Sequence, residues 1–124
     1  YKKNLKKRQE IEKRYIQNFS KTNKVSFVKF SKKCSFFVFQ IFTKKRDNLL
    51  KMLKENNIGV SVHYSRSLPR MHYYKNKYKL SSDNFPNSIL YADTNISLPV
   101  YPKLSFSKVD YISNKIIKYL ENEK

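Results

Sequence analysis

An α/β (α+β) sandwich, with helices packed on a small mixed or antiparallel sheet, is the fold class that this sequence predicts. Two observations carry it. Near each end of the chain, apolar residues recur at helical spacing on an otherwise charged background. Between those ends, short aromatic and β-branched runs alternate with polar turns and further helical stretches. No internal repeat or composition break divides the 124 residues, so they read as one domain able to bury a modest core.

In chain order, residues 2–19 predict a helix, because Ile11, Tyr15, Ile16 and Phe19 form one apolar stripe opposite Lys, Arg and Glu. A polar turn over 20–24 leads to a short extended segment at 25–30. Residues 35–42 hold Phe36, Phe37, Val38, Phe39, Ile41 and Phe42, a run apolar on both faces that predicts a covered strand. Residues 47–56 predict a helix with Leu49, Leu50 and Leu53 inward and Thr43 or Asp47 as its cap. Alternation of Val60, Val62 and Tyr64 with Ser61 and His63 predicts a half-buried strand over 60–64, and 65–82 reads as irregular. Asp83-Asn84-Phe85-Pro86 opens a helix with Pro86 near its first position. Residues 96–100 are extended. A last helix, capped by Ser105 or Ser107, turns Val109, Ile112, Ile116, Ile117 and Leu120 inward.

Composition narrows the function classes. With 40% hydrophobic and 15% aromatic residues, a disordered chain is not expected despite the charge. The net charge of +18 would attract any polyanion, but the lysines are scattered over the whole chain, as solvated faces are. A basic nucleic-acid-binding module without catalytic activity is the alternative reading, since Tyr and Phe can stack on bases within a cationic groove, although no recognised motif supports it. The lone Cys34 can form neither an internal disulfide nor a Cys-based metal site, and two histidines with few carboxylates lack metal-ligand spacing. No signal peptide and no apolar run approaching ~20 residues is visible, so a cytoplasmic, reducing setting is expected and a membrane partner is not. Gly59 is the single glycine, which excludes a P-loop, a dinucleotide fingerprint or a glycine-rich cofactor loop. Tyr1 is not an initiator Met, and the chain reads as a piece of something longer.

The stretch NNIGVSVHYSRSLPRMHYY, running from Asn56, resembles a well-marked region in the sugar aminotransferases of the DegT/DnrJ/EryC1/StrS family. There a helix ends in gly-ile-gly, a strand leads into his-tyr-pro, and a proline-containing loop ends in an aromatic pair. Three further pieces resemble the same family in order and spacing: Arg46-Asp47 opening a helix, Asp83-Asn84-Phe85-Pro86-Asn87-Ser88, and Ile96-Ser97-Leu98-Pro99-Val100-Tyr101-Pro102. Arg8-Gln9-Glu10-Ile11-Glu12-Lys13-Arg14-Tyr15 looks like the long helix that enters the family's small domain. The departures are Asn57 where the family has Gly, Ser65 where it has Pro, Ser67-Leu68-Pro69 for pro-leu-his, and His72 where Pro is frequent. They fall mostly on the substrate loop and bear on the choice of sugar.

The resemblance implies a fold type I enzyme dependent on pyridoxal 5'-phosphate. A large N-terminal domain holds the cofactor, a small C-terminal domain closes over it, and a homodimer shares the active sites. The reaction moves an amino group from an amino acid, usually glutamate, to a keto-sugar carried on a nucleotide, as in polysaccharide or lipopolysaccharide biosynthesis. Residues 1–124 then correspond to the C-terminal small domain, with 1–19 the linking helix and 20–124 the sandwich. The family's Schiff-base lysine, the Asp facing the pyridine nitrogen and the phosphate-binding residues lie in the N-terminal domain, whose motifs do not occur here. This chain alone is therefore expected to carry no catalytic residue, bind no cofactor and be inactive, as a truncation or a split gene would be.

His63, Tyr64 and Arg66 are the candidate substrate-binding residues. The resemblance places His63 and Tyr64 at the mouth of the active site, and Arg66 and Arg70 flank a loop where guanidinium could meet a nucleotide diphosphate. The plainer alternative is that Tyr64 is core, His63 an ordinary surface residue, and both arginines solvated. His72, Tyr73 and Tyr74 would pack the loop or stack on a base.

Overall fold

The computed structural model describes residues 1–28, 31 and 34–122. Among them, five helices lie against one three-stranded antiparallel sheet, so the α+β expectation holds with its antiparallel variant. The elements are α1 (Lys2–Phe19), β1 (Ser26–Phe27), β2 (Phe39–Phe42), α2 (Arg46–Glu55), α3 (His72–Tyr78), α4 (Pro86–Thr94), β3 (Asn95–Leu98) and α5 (Phe106–Asn122). Strand order follows the sequence, with β2 in the centre.

The two terminal helices form as their stripes require. Ile11, Tyr15 and Phe19 of α1 and Val109, Ile112, Ile116 and Leu120 of α5 are buried, while Ile16 and Ile117 sit at the margin of the core. Phe39 from β2 packs against the α1 stripe. Its ring lies 5.0 Å from Tyr15 and 6.3 Å from Phe19, both nearly coplanar, and Phe27 of β1 completes the cluster at 6.0 Å. Each such aromatic pair adds about 0.5–1.5 kcal/mol beyond simple burial. The Tyr15 hydroxyl donates to the Pro99 carbonyl at 3.2 Å, and burial pushes its pKa far upward.

One polar seam crosses this helical layer. Arg14 grips Asp110 in a bidentate pair, Nε to Oδ1 and Nη2 to Oδ2, both at 2.7 Å. Asn18 donates to Asp110 at 2.8 Å and to the buried Ser113 hydroxyl at 3.2 Å. The Arg14 hydrogen bonds, and after them the Asn18 one, hold the Asp110 carboxyl at about 2, below its ordinary 3.8.

Helix α2 ends in a Schellman motif. Ile58 N–H bonds the Leu53 carbonyl at 2.9 Å and Asn57 N–H bonds the Lys54 carbonyl at 3.0 Å, with Asn57 in the left-handed region at φ 57. Asn is the residue other than Gly that best tolerates this conformation, which accounts for Asn57 where glycine was expected. Neither Thr43 nor Asp47 caps the start of α2 with its side chain; the Thr43 hydroxyl instead accepts from Lys45 N–H at 3.3 Å. Pro86 opens α4 as expected, and the Ser105 hydroxyl accepts from Lys108 N–H at the start of α5.

Three expectations need correction. The strand expected over 35–42 begins only at Phe39: Phe36 adopts φ 49, which turns the chain before the ladder, and Phe37 is largely exposed. The strand expected over 60–64 is a single bridge, Ser61 to Ser97, followed by a turn at His63 and Tyr64. The region expected to be irregular, 65–82, contains the turn Leu68–Arg70 and helix α3. In the extended segment expected over 25–30, β1 takes Ser26–Phe27, and residues 29 and 30 lie outside the described residues.

The strand pairing decides what each face of the sheet offers. Phe39 pairs with Leu98 and Ile41 with Ile96, while Gln40 pairs with Ser97 and Phe42 with Asn95. Because side chains alternate along a strand, one face is apolar and meets α1 and α5. The other carries Gln40, Asn95 and Ser97 and is covered by α4.

Candidate functional site

The polar face of the sheet gathers around His63. Asn95, fully buried, accepts the His63 backbone N–H at Oδ1 (3.0 Å) and donates from Nδ2 to the Tyr91 carbonyl (2.7 Å). Gln40 donates from Nε2 to the His63 carbonyl at 2.9 Å and receives the Tyr91 hydroxyl at Oε1 at 2.5 Å. The Ser97 hydroxyl lies 2.8 Å from His63 Nδ1, and the Ser61 hydroxyl lies 3.5 Å from the same nitrogen. Thus β2 and β3 grip one half-buried residue at both its backbone and its ring, and Tyr91 of α4 braces the two side chains, Gln40 and Asn95, that hold its backbone. The ring's other nitrogen, Nε2, has no protein partner among the described residues.

The other candidates are placed differently. Tyr64 follows His63 across a cis peptide, stands edge-on to the His63 ring at 5.6 Å and is 73% exposed, which removes the reading of Tyr64 as a core residue. Because residues 60–64 do not form a strand, the two side chains are not sorted to opposite faces by strand alternation. Arg66 is exposed and makes no ion pair among the described residues. Arg70 is committed to Asp93 of α4, Nη1 to Oδ1 at 2.6 Å, and so ties the loop to the helix. In α3, His72 Nε2 meets Asn76, the Tyr73 and Tyr74 rings stand edge-on at 5.2 Å, and none of the helix's residues is buried. Buried Ser67, at the head of the loop turn, has a hydroxyl with no protein partner.

Sequence reasoning reached His63 and missed the residues that hold it. Gln40 is the one polar residue in the run 36–42, and Asn95 and Ser97 alternate with Ile96 and Leu98. A polar residue inside an otherwise apolar buried strand was the available signal. A cleft of about 410 Å3 opens beside Tyr91, between Phe42, Thr43, Lys44, Asn87 and Thr94. A second, of about 440 Å3, lies between the end of α2 and α5, beside Asn57, Tyr101 and Tyr111. His63 lines neither. No group of three or more His, Cys, Asp or Glu able to hold a metal occurs among the described residues, and none of their helices is long and apolar enough to cross a membrane.

The model of the DegT/DnrJ/EryC1/StrS aminotransferase family matches residues 1–117. The chain belongs to this family. Over 81 residues, 60% of this DegT/DnrJ/EryC1/StrS chain and 20% of the relative, it is 37% identical to the spore coat polysaccharide biosynthesis protein SpsC of Bacillus subtilis. It is 29% identical over 82 residues, 63% of this chain and 21% of the relative, to a UDP-4-amino-4-deoxy-L-arabinose–oxoglutarate aminotransferase of Shewanella sediminis. Among solved structures, Spr1654 of Streptococcus pneumoniae, assigned as a sugar aminotransferase and solved in PMP and PLP forms, superposes with a TM-score of 0.86 at 25% identity. That match covers 98% of this chain and 32% of Spr1654. The DegT/DnrJ/EryC1/StrS chain thus spans about a fifth of these curated relatives and about a third of the solved one.

The described residues do not by themselves fit the family's cofactor. A Schiff-base lysine needs a sheltered amine, and none of the described lysines is buried. A phosphate cradle needs successive backbone N–H groups turned inward, usually through glycine, and Gly59 stands in open space. Of the four described aspartates that could face a pyridine nitrogen, Asp47, Asp93 and Asp110 are each paired with an arginine, and Asp83 sits in an exposed turn bonded to Ser81.

Proposed function

We propose that this chain is the substrate-side small domain of a pyridoxal-phosphate-dependent aminotransferase that transfers an amino group from glutamate to a keto-sugar carried on a nucleotide, within a homodimer. The cofactor and its lysine would come from the larger part of the enzyme, beyond the third that this chain spans. The observation that carries the reading is the fixed His63: a half-buried residue held by side chains of two strands, with one ring nitrogen left for a ligand. Exposed Tyr64 stands edge-on to it and exposed Arg66 follows in the same loop, and they supply a hydroxyl and a guanidinium suited to sugar and phosphate oxygens.

The test is half-reaction kinetics on the chain joined to its cofactor domain. His63→Ala is expected to weaken use of the sugar by about 1–3 kcal/mol, the cost of stranding a buried polar partner. The glutamate half-reaction should change little, and Tyr64→Phe should cost less than His63→Ala. Equal losses in both half-reactions, or none in either, would show that His63 is structural. The chain alone, mixed with pyridoxal phosphate and desalted, should retain no stoichiometric cofactor.

A further inference from the structure

The hydrogen-bond inventory around His63 identifies which of its nitrogens carries the proton. Ser97 is 4% exposed, and its backbone N–H and carbonyl are both taken by Ser61, at 2.7 and 3.3 Å. In so buried a residue the hydroxyl has little access to water, and its one hydrogen-bond contact among the described residues is His63 Nδ1 at 2.8 Å. A buried hydroxyl hydrogen with no acceptor is costly, whereas the oxygen tolerates an unused lone pair more easily. The opposite arrangement, with Nδ1–H donating to Ser97, would strand that hydrogen. The Ser61 hydroxyl does not change the balance, because Ser61 is exposed, its contact is at 3.5 Å, and water can take its hydrogen.

We propose that Ser97 is a positioning residue that fixes the tautomer of His63: its hydroxyl donates to Nδ1, the ring proton stays on Nε2, and His63 presents a hydrogen-bond donor to the ligand. Asn95 holds the same residue by its backbone, so direction and polarity are set together. Resting on the reading of His63 as a sugar-substrate contact, this makes the ligand atom opposite Nε2 an acceptor oxygen, such as a diphosphate or carbonyl oxygen. A group that only donates is disfavoured there.

Heteronuclear NMR of the imidazole nitrogens in the full chain, with the ring neutral, reads the tautomer directly. The wild type should show Nε2–H as the dominant form of His63. Ser97→Ala should lower the ratio of Nε2–H to Nδ1–H by about tenfold, the equilibrium value of one hydrogen bond. Ser97→Thr, which keeps the hydroxyl, should restore it, and His72 serves as an internal control that should not shift. Backbone amide spectra establish that each variant keeps the fold. Nδ1–H as the major form in the wild type, or an unchanged ratio in Ser97→Ala, overturns the proposal. A shifted ratio, together with normal sugar use by the His63→Ala variant of the chain joined to its cofactor domain, leaves the tautomer assignment standing and removes only the functional reading.

Discussion

Replacing Asn95 tests the support of the site and the fold together. Asn95 is fully buried and serves two backbone groups, the His63 N–H at 3.0 Å and the Tyr91 carbonyl at 2.7 Å. Truncation to Ala strands both. An orphaned buried group costs about 1–3 kcal/mol, and because His63 is only half-buried, water relieves part of its share. The sum is about 2–3 kcal/mol, a large part of the ~5–15 kcal/mol of a typical domain. In urea, with a slope of about 1–3 kcal/mol per molar, the midpoint should fall by about 0.7–3 M. Asn95→Asp adds a second arm. Burial raises the new carboxyl above its unfolded value of about 3.9. Protonated, it can still accept from His63 and donate to Tyr91; ionised, it opposes the Tyr91 carbonyl. The variant should therefore match the wild type below about pH 4 and fall behind as pH rises through the raised folded value. A loss under about 0.5 kcal/mol for Asn95→Ala, or an Asn95→Asp stability that tracks the wild type at every pH, would refute the reasoning.

Phe39→Ala opens a cavity between α1 and the sheet and should cost about 3–5 kcal/mol in denaturant titrations, whereas Phe39→Leu should cost visibly less; similar losses would mean that the stacked rings pack loosely. Asp110 has a depressed folded pKa, so its pairing with Arg14 and Asn18 is fully stabilising above its ordinary 3.8 and is lost as pH falls toward about 2. Melting temperature should then drop across that window in the wild type and less steeply in Asp110→Asn, with the difference reduced by salt because the pair is partly exposed. The net charge of +18 should give weak, sequence-blind binding to DNA that collapses as salt rises; a sequence-preferring complex that survives physiological salt would favour a nucleic-acid-binding module instead.

How much could be read from the chain depended on whether the deciding contacts were local. Helix α1 matched its expected span because its stripe from Ile11 to Phe19 ends a run of eighteen residues that no proline or glycine interrupts. Helix α3 went unseen because a helix with no buried residue leaves no stripe. Residues 60–64 show the alternation of a strand, yet the backbone of His63 is satisfied by the side chains of Asn95 and Gln40, from segments distant in sequence. Those partners are invisible to a local pattern, as is the register that sets Gln40 beside Ser97. The family resemblance brought His63 into view, but nothing short of the strand pairing explains what holds it.

The network around His63 also divides the chain by its tolerance of change. Substitution at Gln40, Asn95 or Ser97 disturbs a buried bond and costs stability at once, so the position of His63 behaves as a fixed reference point. The segment from Tyr64 through α3 is anchored chiefly by Pro69, Ser67 and the Arg70–Asp93 pair, and α3 buries nothing. New side chains can be tried there at little risk to folding. Under the function proposed above, a library aimed at altered sugar choice belongs in the exposed residues of 64–80, with buried Ser67 and Pro69 and the Arg70–Asp93 pair left in place, because changes there leave the bonds that hold His63 untouched.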